Sequence, residues 1–240
     1  MEAAEPRSTT YISGNDIRVS FARPTQAVPG KVACVFMYSG HRCLIDEKSG
    51  EFLLFESIKQ QLLEAGIACF EIDLPIKKGK SQHSDVVERS ERLRLLLETQ
   101  QFEDYASNFG IIALSLGGHA TLHYLTDLEN RAPVPRFAVL CSTVVDEPAV
   151  VNDRVDSLCF LYGEYDYVGY QMEGRDEITI FSPEEYATFP KMRLSTTRKQ
   201  RVDTHIVALA GHLMDSGSRS GHEFACEITE HFLREASSCQ

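Results

Sequence analysis

Ser115 has the surroundings of a nucleophilic serine. Residues 108–114 form an apolar run that predicts a short buried strand, and residues 118–128 carry apolar side chains at the mixed spacing of a packed helix. The serine is therefore predicted to lie in a sharp turn between a strand and a helix, where small residues are needed two positions before and after it. Ala113 and Gly117 occupy these two positions. A serine hydroxyl exposed at such a turn could attack a carbonyl carbon.

A second interpretation of Ser115 is that it only caps the helix that follows, because serine is a common N-cap residue. The first N–H groups of a helix have no acceptor within the helix, so they can also stabilise a developing oxyanion. In that case the backbone N–H of Leu116 is the natural first donor. A catalytic serine also needs a base and an acid, so the presence of these groups separates the two interpretations.

A histidine and a carboxylate follow Ser115 at positions that suit these roles. Residues 155–162 and 204–210 predict two further buried strands, with Asp166 in the loop after the first and His212 after the second. Because the carboxyl ends of parallel strands meet at one edge of a sheet, the three side chains are expected to come together. His212 could then accept the Ser115 proton, and Asp166 could orient the imidazole and stabilise its charge.

These residues and their order resemble the α/β-hydrolase family, in which a serine, then an aspartate or glutamate, then a histidine each follow a strand. The resemblance spans nearly all 240 residues, although Ala113 replaces the usual glycine of the serine turn. It implies that Ser115 is the nucleophile, Asp166 the acid and His212 the base. Glu164, two residues before Asp166, is the alternative acid, although its side chain would point the other way if the strand extends that far. The resemblance also implies an α/β-hydrolase fold, with a mostly parallel central sheet, an antiparallel N-terminal hairpin and helices on both faces.

The resemblance further implies a second oxyanion donor in the loop that follows the early central strand. In this chain residues 31–38 predict that strand, and the loop after it contains Gly40 and His41. A backbone N–H of either residue is the candidate donor beside that of Leu116. The His41 ring could also touch the substrate, or it could have no chemical role.

The lengths of two segments bear on access to this site. Only a short interval separates Ser142 from the next predicted strand, so a large cap is not expected there. Residues 167–200 are more than one helix and one strand need, and they include Tyr167, Tyr170 and Met172. This segment could form a small lid or a wall of the substrate site, or it could be an ordinary surface helix with a hairpin.

The remaining pattern alternates strands and helices, as a parallel sheet requires. Residues 9–13 and 17–22 flank a turn and predict an opening antiparallel hairpin. Further helices are predicted at 51–65, 86–99 and 221–236, and further strands at 67–72 and 136–142. The sequence contains no evident linker or repeat, so residues 1–240 are predicted to form one α/β domain.

Composition argues against several classes of function. The chain has 24 Lys and Arg against 35 Asp and Glu, and the resulting formal charge of −11 disfavours nucleic-acid binding. No stretch is long and apolar enough for a transmembrane helix, and the first ten residues carry no secretory signal. The seven cysteines include no Cys-x-x-Cys motif and no Cys–His spacing typical of zinc. The sequence thus predicts a reduced, cytoplasmic protein without a disulfide framework, a metal site or a cofactor.

The sequence and the resemblance together predict a cofactor-independent serine hydrolase. It would cleave an ester or a thioester through an acyl-enzyme, and its substrate would be a small-molecule or carrier-bound acyl compound. One alternative is an acyltransferase that uses the same three residues. Another is a non-catalytic protein that binds a ligand in the corresponding pocket, because one fold hosts many functions. The sequence does not indicate an oligomeric state.

Overall fold

In the computed structural model of this protein, an eight-stranded sheet is flanked by helices. The structure describes residues 7–13, 17–26, 31–40, 50–74, 83–129, 131–167, 170–171, 178–215 and 221–238. The strands are β1 (Arg7–Ser13), β2 (Ile17–Arg23), β3 (Ala33–Met37), β4 (Ala68–Ile72), β5 (Phe109–Leu114), β6 (Phe137–Cys141), β7 (Ala149–Val150), β8 (Ser157–Gly163), β9 (Tyr170–Gln171), β10 (Ile178–Thr179), β11 (Leu194–Ser195) and β12 (Arg201–Val207). The helices are α1 (Gly50–Glu64), α2 (His83–Leu97), α3 (Gln100–Glu103), α4 (Leu116–Thr126), α5 (Pro183–Arg193) and α6 (Gly221–Ser238).

The strand order across the main sheet is β1-β2-β4-β3-β5-β6-β8-β12. The strands from β4 to β12 in this order run parallel, whereas β2 pairs antiparallel with both β1 and β4. This topology confirms the predicted parallel sheet with an antiparallel N-terminal hairpin. After β3 the chain adds β4 on one side and β5 on the other, so the loops after β3 and β5 leave the sheet next to each other.

Helices cover both faces of the sheet. Every residue of β3, β4, β5, β6 and β8 is buried, as expected for parallel strands between two helical layers. The strand registers place Phe36 and Phe137 on one face and Phe109 and Tyr162 on the other. Aromatic contacts join the first face to α1 and α6 and the second to α3 and α5, through the ring pairs Phe36–Phe55, Phe137–Phe232, Phe102–Phe109 and Tyr162–Tyr186.

The last strand differs from its predicted bounds. The sequence pattern predicts a strand at 204–210, but β12 covers Arg201–Val207 and the chain turns immediately after it. Leu209 has a φ of 61°, a left-handed conformation that no strand residue adopts, and Ala210 N donates to Val207 O at 3.4 Å. The apolar run therefore continues through a turn that leads to His212.

The described part of segment 167–200 contains a short hairpin and a helix. Strands β9 and β10 pair antiparallel, and α5 packs against β8 and β12. A capping box begins α5, because the Ser182 side chain accepts a hydrogen bond from Glu185 N while the Glu185 carboxylate accepts one from Ser182 N. Among the described helices, none has the length and apolarity that a membrane crossing requires.

Candidate active site

Ser115 lies between β5 and α4 in a strained backbone conformation. Its φ of 52° and ψ of −117° lie outside the regions that serine normally adopts, and this strain costs about 1–3 kcal/mol. Backbone hydrogen bonds hold the turn on both sides, from Ser115 N to Cys141 O at 2.9 Å and from His119 N to Ser115 O at 3.1 Å. The surrounding sheet and helix therefore stabilise a turn that exposes the serine hydroxyl.

The two small residues beside Ser115 have different steric requirements. A Cβ atom on Gly117 would lie 2.2 Å from Met37 O and 2.5 Å from Tyr38 O, which are backbone atoms that cannot rotate away. Ala113 is fully buried in β5, and the sheet accommodates its methyl group. Glycine is thus required after the serine, where α4 touches the end of β3, whereas alanine is tolerated before it.

We expect Gly117→Ala to lower the free energy of unfolding by ~2–4 kcal/mol, because the new methyl group must push the β3 carbonyls away from α4. Ala113→Gly is the matched control, and it should lower the free energy by only about 1 kcal/mol through lost burial and added chain entropy. Urea denaturation of both variants measures the difference. A Gly117→Ala protein as stable as the native one would contradict the close approach of α4 to β3.

The structure brings Ser115, His212 and Asp166 into one hydrogen-bonded chain. Ser115 Oγ lies 2.9 Å from His212 Nε2, and His212 Nδ1 lies 2.7 Å from Asp166 Oδ1. The Asp166 side chain is 4% exposed and that of His212 is 25% exposed, so the carboxylate is buried while the imidazole reaches solvent. Each ring nitrogen thus faces a different partner, which is the arrangement that proton transfer from a serine to a histidine needs.

Direct contacts between two loops hold Asp166 next to His212. Tyr165 N donates to Ala210 O at 2.8 Å, and a Cβ atom on Gly163 would lie 2.4 Å from the same oxygen. Glu164, the alternative acid of the sequence analysis, does not take part in the chain: its Oε2 accepts a hydrogen bond from Leu209 N at 2.8 Å. The two carboxylates therefore have different partners. Asp166 contacts His212, and Glu164 contacts the backbone of the turn that precedes His212.

Two buried tyrosines lie close enough to Asp166 for its charge to affect their pKa values. Tyr162 donates its hydroxyl to Thr143 O at 2.8 Å, and its ring stacks near that of Tyr186. Burial, and secondly the charge of Asp166, raises the pKa of Tyr162 well above its usual value, and burial is also the largest cause of the raised pKa of Tyr186. Both phenols are therefore neutral at physiological pH.

Two buried charged side chains hold the loop after β3 in place by hydrogen bonds. The sequence analysis did not name either of them as a site residue. Glu51 is 5% exposed and accepts hydrogen bonds from Ser39 N at 2.6 Å and from Ser39 Oγ at 2.7 Å. Arg89 is fully buried and donates from Nη1 to Tyr38 O at 2.8 Å. The buried Gly40 follows directly, so these contacts anchor the chain immediately before it, where Tyr38 O approaches Gly117 of α4. Both residues lie on helix faces that pack against the core, and a charged residue at such a position is the signal by which the sequence could have identified them.

The other predicted site residues have varied positions. Leu116 is the first residue of α4 and is buried, so its N–H lies at the helix terminus beside Ser115. Tyr167 directly follows Asp166 and is 54% exposed. Tyr170 belongs to strand β9. His41 and Met172 lie outside the described residues.

Comparison with known proteins gives a fold but no sequence family. No family model and no curated protein sequence matches the chain. Similar solved structures include a dienelactone hydrolase from Anabaena variabilis, with a TM-score of 0.61 and 15% identity over 96% of this chain and 97% of that one. An α/β serine hydrolase without a lid from Xanthomonas campestris has a TM-score of 0.62 and 12% identity, covering 97% and 95% of the two chains. A cold-adapted esterase from an Arctic intertidal metagenomic library has a TM-score of 0.61 and 12% identity, covering 96% and 93%.

Proposed function

We propose that this protein, which has the α/β-hydrolase fold without a large cap, hydrolyses carboxylic esters through an acyl-enzyme on Ser115. The observation that carries the proposal is the chain of hydrogen bonds from Ser115 Oγ through His212 to the buried Asp166. A serine that only capped α4 would not need this chain, and its side chain makes no capping hydrogen bond within the described residues. The three solved structures named above are called hydrolases or an esterase, which supports the same reaction class.

In the proposed acylation step His212 Nε2 removes the Ser115 proton while Oγ attacks the carbonyl carbon of the ester. Asp166 holds the ring so that Nε2 faces the serine, and it stabilises the imidazolium that forms. The carbonyl oxygen becomes negative and accepts hydrogen bonds from the N–H groups of Leu116 and of Gly40 or His41. Collapse of this intermediate releases the alcohol, or the thiol of a thioester, with the proton from His212.

Deacylation follows the same path with water in place of the serine. His212 removes a proton from water, the resulting hydroxide attacks the acyl carbon, and Ser115 recovers its proton as the acid leaves. The 25% exposure of His212 supports water entry at this position and hence hydrolysis rather than transfer to another acceptor. We propose that Tyr167, which lies exposed next to Asp166, belongs to a small substrate wall within segment 167–200.

Labelling with a fluorophosphonate probe tests this function, because the probe forms a stable adduct only with an activated serine. Intact-mass measurement should find one adduct, and peptide mapping should locate it on Ser115. His212→Ala should lose the adduct although the serine is still present. A folded native protein that stays unlabelled would overturn the proposal and favour a role in ligand binding.

Glu51 is expected to position the second oxyanion donor, because its carboxylate holds Ser39 directly before Gly40. Glu51→Gln should lower kcat for a p-nitrophenyl ester about 10- to 100-fold with little change in KM, since a loosened donor weakens only transition-state binding. Ser39→Ala is the matched variant, because it keeps the hydrogen bond from the backbone N–H and should lose less than tenfold. An equal loss in kcat for both variants, or a change confined to KM, would argue against this role.

A further inference from the structure

A cysteine and two histidines meet outside the hydrogen-bonded chain of Ser115. They are Cys159 on β8, His205 on β12 and His231 on α6. The Cys159 Sγ and one ring nitrogen of each histidine lie within 4.8 Å of one another. Cys159 is fully buried, and the two histidines are half-buried. Three separate elements thus direct groups that bind transition metals toward a common point.

Strand register explains how these residues come together. In the parallel pair β8 and β12, Cys159 is opposite Asp203, so His205, two residues further on, points to the same face as Cys159. Helix α6 covers that face, as the hydrogen bond from Ser157 Oγ to Glu235 at 2.5 Å shows. His231 is one helical turn before Glu235 and therefore faces the same two strands. Because β12 is an edge strand, an ion could reach this point from the side of the sheet.

The distance between two of the ligand atoms fits a tetrahedral ion. Bond lengths of about 2.3 Å for Zn–S and about 2.1 Å for Zn–N place tetrahedral sulfur and nitrogen ligands about 3.6 Å apart. Cys159 Sγ lies 3.6 Å from His231 Nδ1, and the rings of His205 and His231 are 4.6 Å apart between centroids. Among the described residues, His205 Nε2 is a buried atom that has no hydrogen-bond partner. A buried polar atom of this kind calls for a partner, and a metal ion would supply one.

We propose that Cys159, His205 and His231 bind one zinc ion, with water as the fourth ligand, and so tie the edge strand β12 to α6. Thiolate and imidazole ligands favour zinc over magnesium or calcium, which prefer oxygen. On binding, Zn²⁺ replaces the proton of the Cys159 thiol, and the proton is released to solvent. This site is independent of the proposed ester hydrolysis, and Ser115 has no part in it.

Arg234 competes with the ion in this arrangement. Its Nη2 lies 2.7 Å from His231 Nδ1, and its side chain is 52% exposed. The guanidinium must therefore turn toward solvent before a cation binds at that nitrogen, and its positive charge opposes the cation as well. Replacing the charged guanidinium with a neutral amide in Arg234→Gln should tighten zinc binding at least severalfold.

Metal binding is tested in a protein that carries Cys43→Ser, Cys226→Ser and Cys239→Ser, so that the four remaining cysteines are those of the buried strands. Titration with Co²⁺ should produce a thiolate-to-cobalt charge-transfer band in the near ultraviolet at one equivalent. Zinc should displace the cobalt. At a free zinc concentration of about 100 times its Kd, the melting temperature should rise by about 5 °C. Cys159→Ser in this background should remove the band and the shift.

A matched control comes from the second cysteine–histidine pair on α6. Cys226 Sγ lies 3.7 Å from His222 Nε2, a spacing close to that of Cys159 and His231, and no third ligand belongs to this pair among the described residues. Cys226→Ser alone should therefore leave cobalt and zinc binding unchanged. If Cys159→Ser does not fold, the variants His205→Asn and His231→Asn test the same proposal. Each should weaken zinc binding at least tenfold. Unchanged binding in these variants, or no charge-transfer band in the triple-serine background, would overturn the proposal.

Discussion

Ser115→Ala is expected to lower kcat/KM for ester hydrolysis by about 10,000-fold or more, because the reaction loses its covalent path. Alanine removes only the hydroxyl group and leaves His212 and Asp166 in place, so substrate binding should change little. The variant should retain its secondary structure. The measurement is the hydrolysis of p-nitrophenyl acetate and butyrate, corrected for the spontaneous rate.

His212→Ala should cause a loss of similar size, since Oγ lies 2.9 Å from His212 Nε2 and depends on it for proton removal. When two residues act as one unit, their effects are not additive. The double variant should therefore be about as slow as either single variant. A double variant with the product of the two losses would show that the residues act independently and would contradict the proposed mechanism.

Ser142 provides a matched control for Ser115. It follows the neighbouring strand β6, has a φ of 49°, and is buried, but no hydrogen bond joins it to His212 within the described residues. Ser142→Ala should retain kcat/KM within about threefold, as expected for a substitution outside the reacting groups. A loss as large as that of Ser115→Ala would mean that the two serines had been assigned wrongly.

Asp166→Asn is expected to lower kcat by about 1,000- to 10,000-fold with little change in structure. The carboxylate lies 2.7 Å from His212 Nδ1 and favours the tautomer whose Nε2 can accept the serine proton. An asparagine can present its amide N–H to Nδ1 and favour the opposite tautomer, in which Nε2 carries a proton. It also removes the negative charge that stabilises the imidazolium.

Glu164→Gln separates this effect from a general change of charge near the site. Its carboxylate accepts a hydrogen bond from Leu209 N at 2.8 Å, and a glutamine oxygen can accept the same bond. The Glu164 variant should lose less than tenfold in kcat, and the Asp166 variant should lose far more. A larger loss in kcat for Glu164→Gln than for Asp166→Asn would identify Glu164 as the acid of the site. Both variants should be compared by their kinetics and by thermal unfolding, so that loss of fold is not taken for loss of activity.

Much of this architecture is encoded in local sequence patterns. Apolar runs and their spacing predicted the strands β3 to β6 and β8 and the helices α1, α2, α4 and α6, because burial on both faces of a parallel sheet leaves a continuous apolar signal. The turn at Ser115 was also predictable, since the small residues on both sides of it follow from the steric needs of a sharp bend. The sequence analysis named Ser115, Asp166 and His212, and the structure places both Ser115 and Asp166 within hydrogen-bonding distance of His212.

The ends of the last strand and the shortest strands could not be predicted from the sequence. The predicted strand at 204–210 was displaced because hydrophobicity does not reveal that Leu209 has a positive φ and that Ala210 accepts a hydrogen bond from Tyr165. Those two features depend on the loop after β8, which is distant in the sequence. The strands β7, β9, β10 and β11 are two residues long and carry no periodic signal of their own.

The sequence by itself determined which segments form the buried strands and which turn exposes a serine, because an apolar run and the small residues that flank a sharp turn are patterns of neighbouring residues along the chain. Only the tertiary structure decided that Glu51 and Arg89 fasten the loop before Gly40, and that Cys159, His205 and His231 converge at the edge of the sheet. The spacing of those three residues along the chain resembles no metal motif. Their proximity arises from the register of β8 against β12 and from the packing of α6, and pairing between distant segments leaves no pattern in a single sequence.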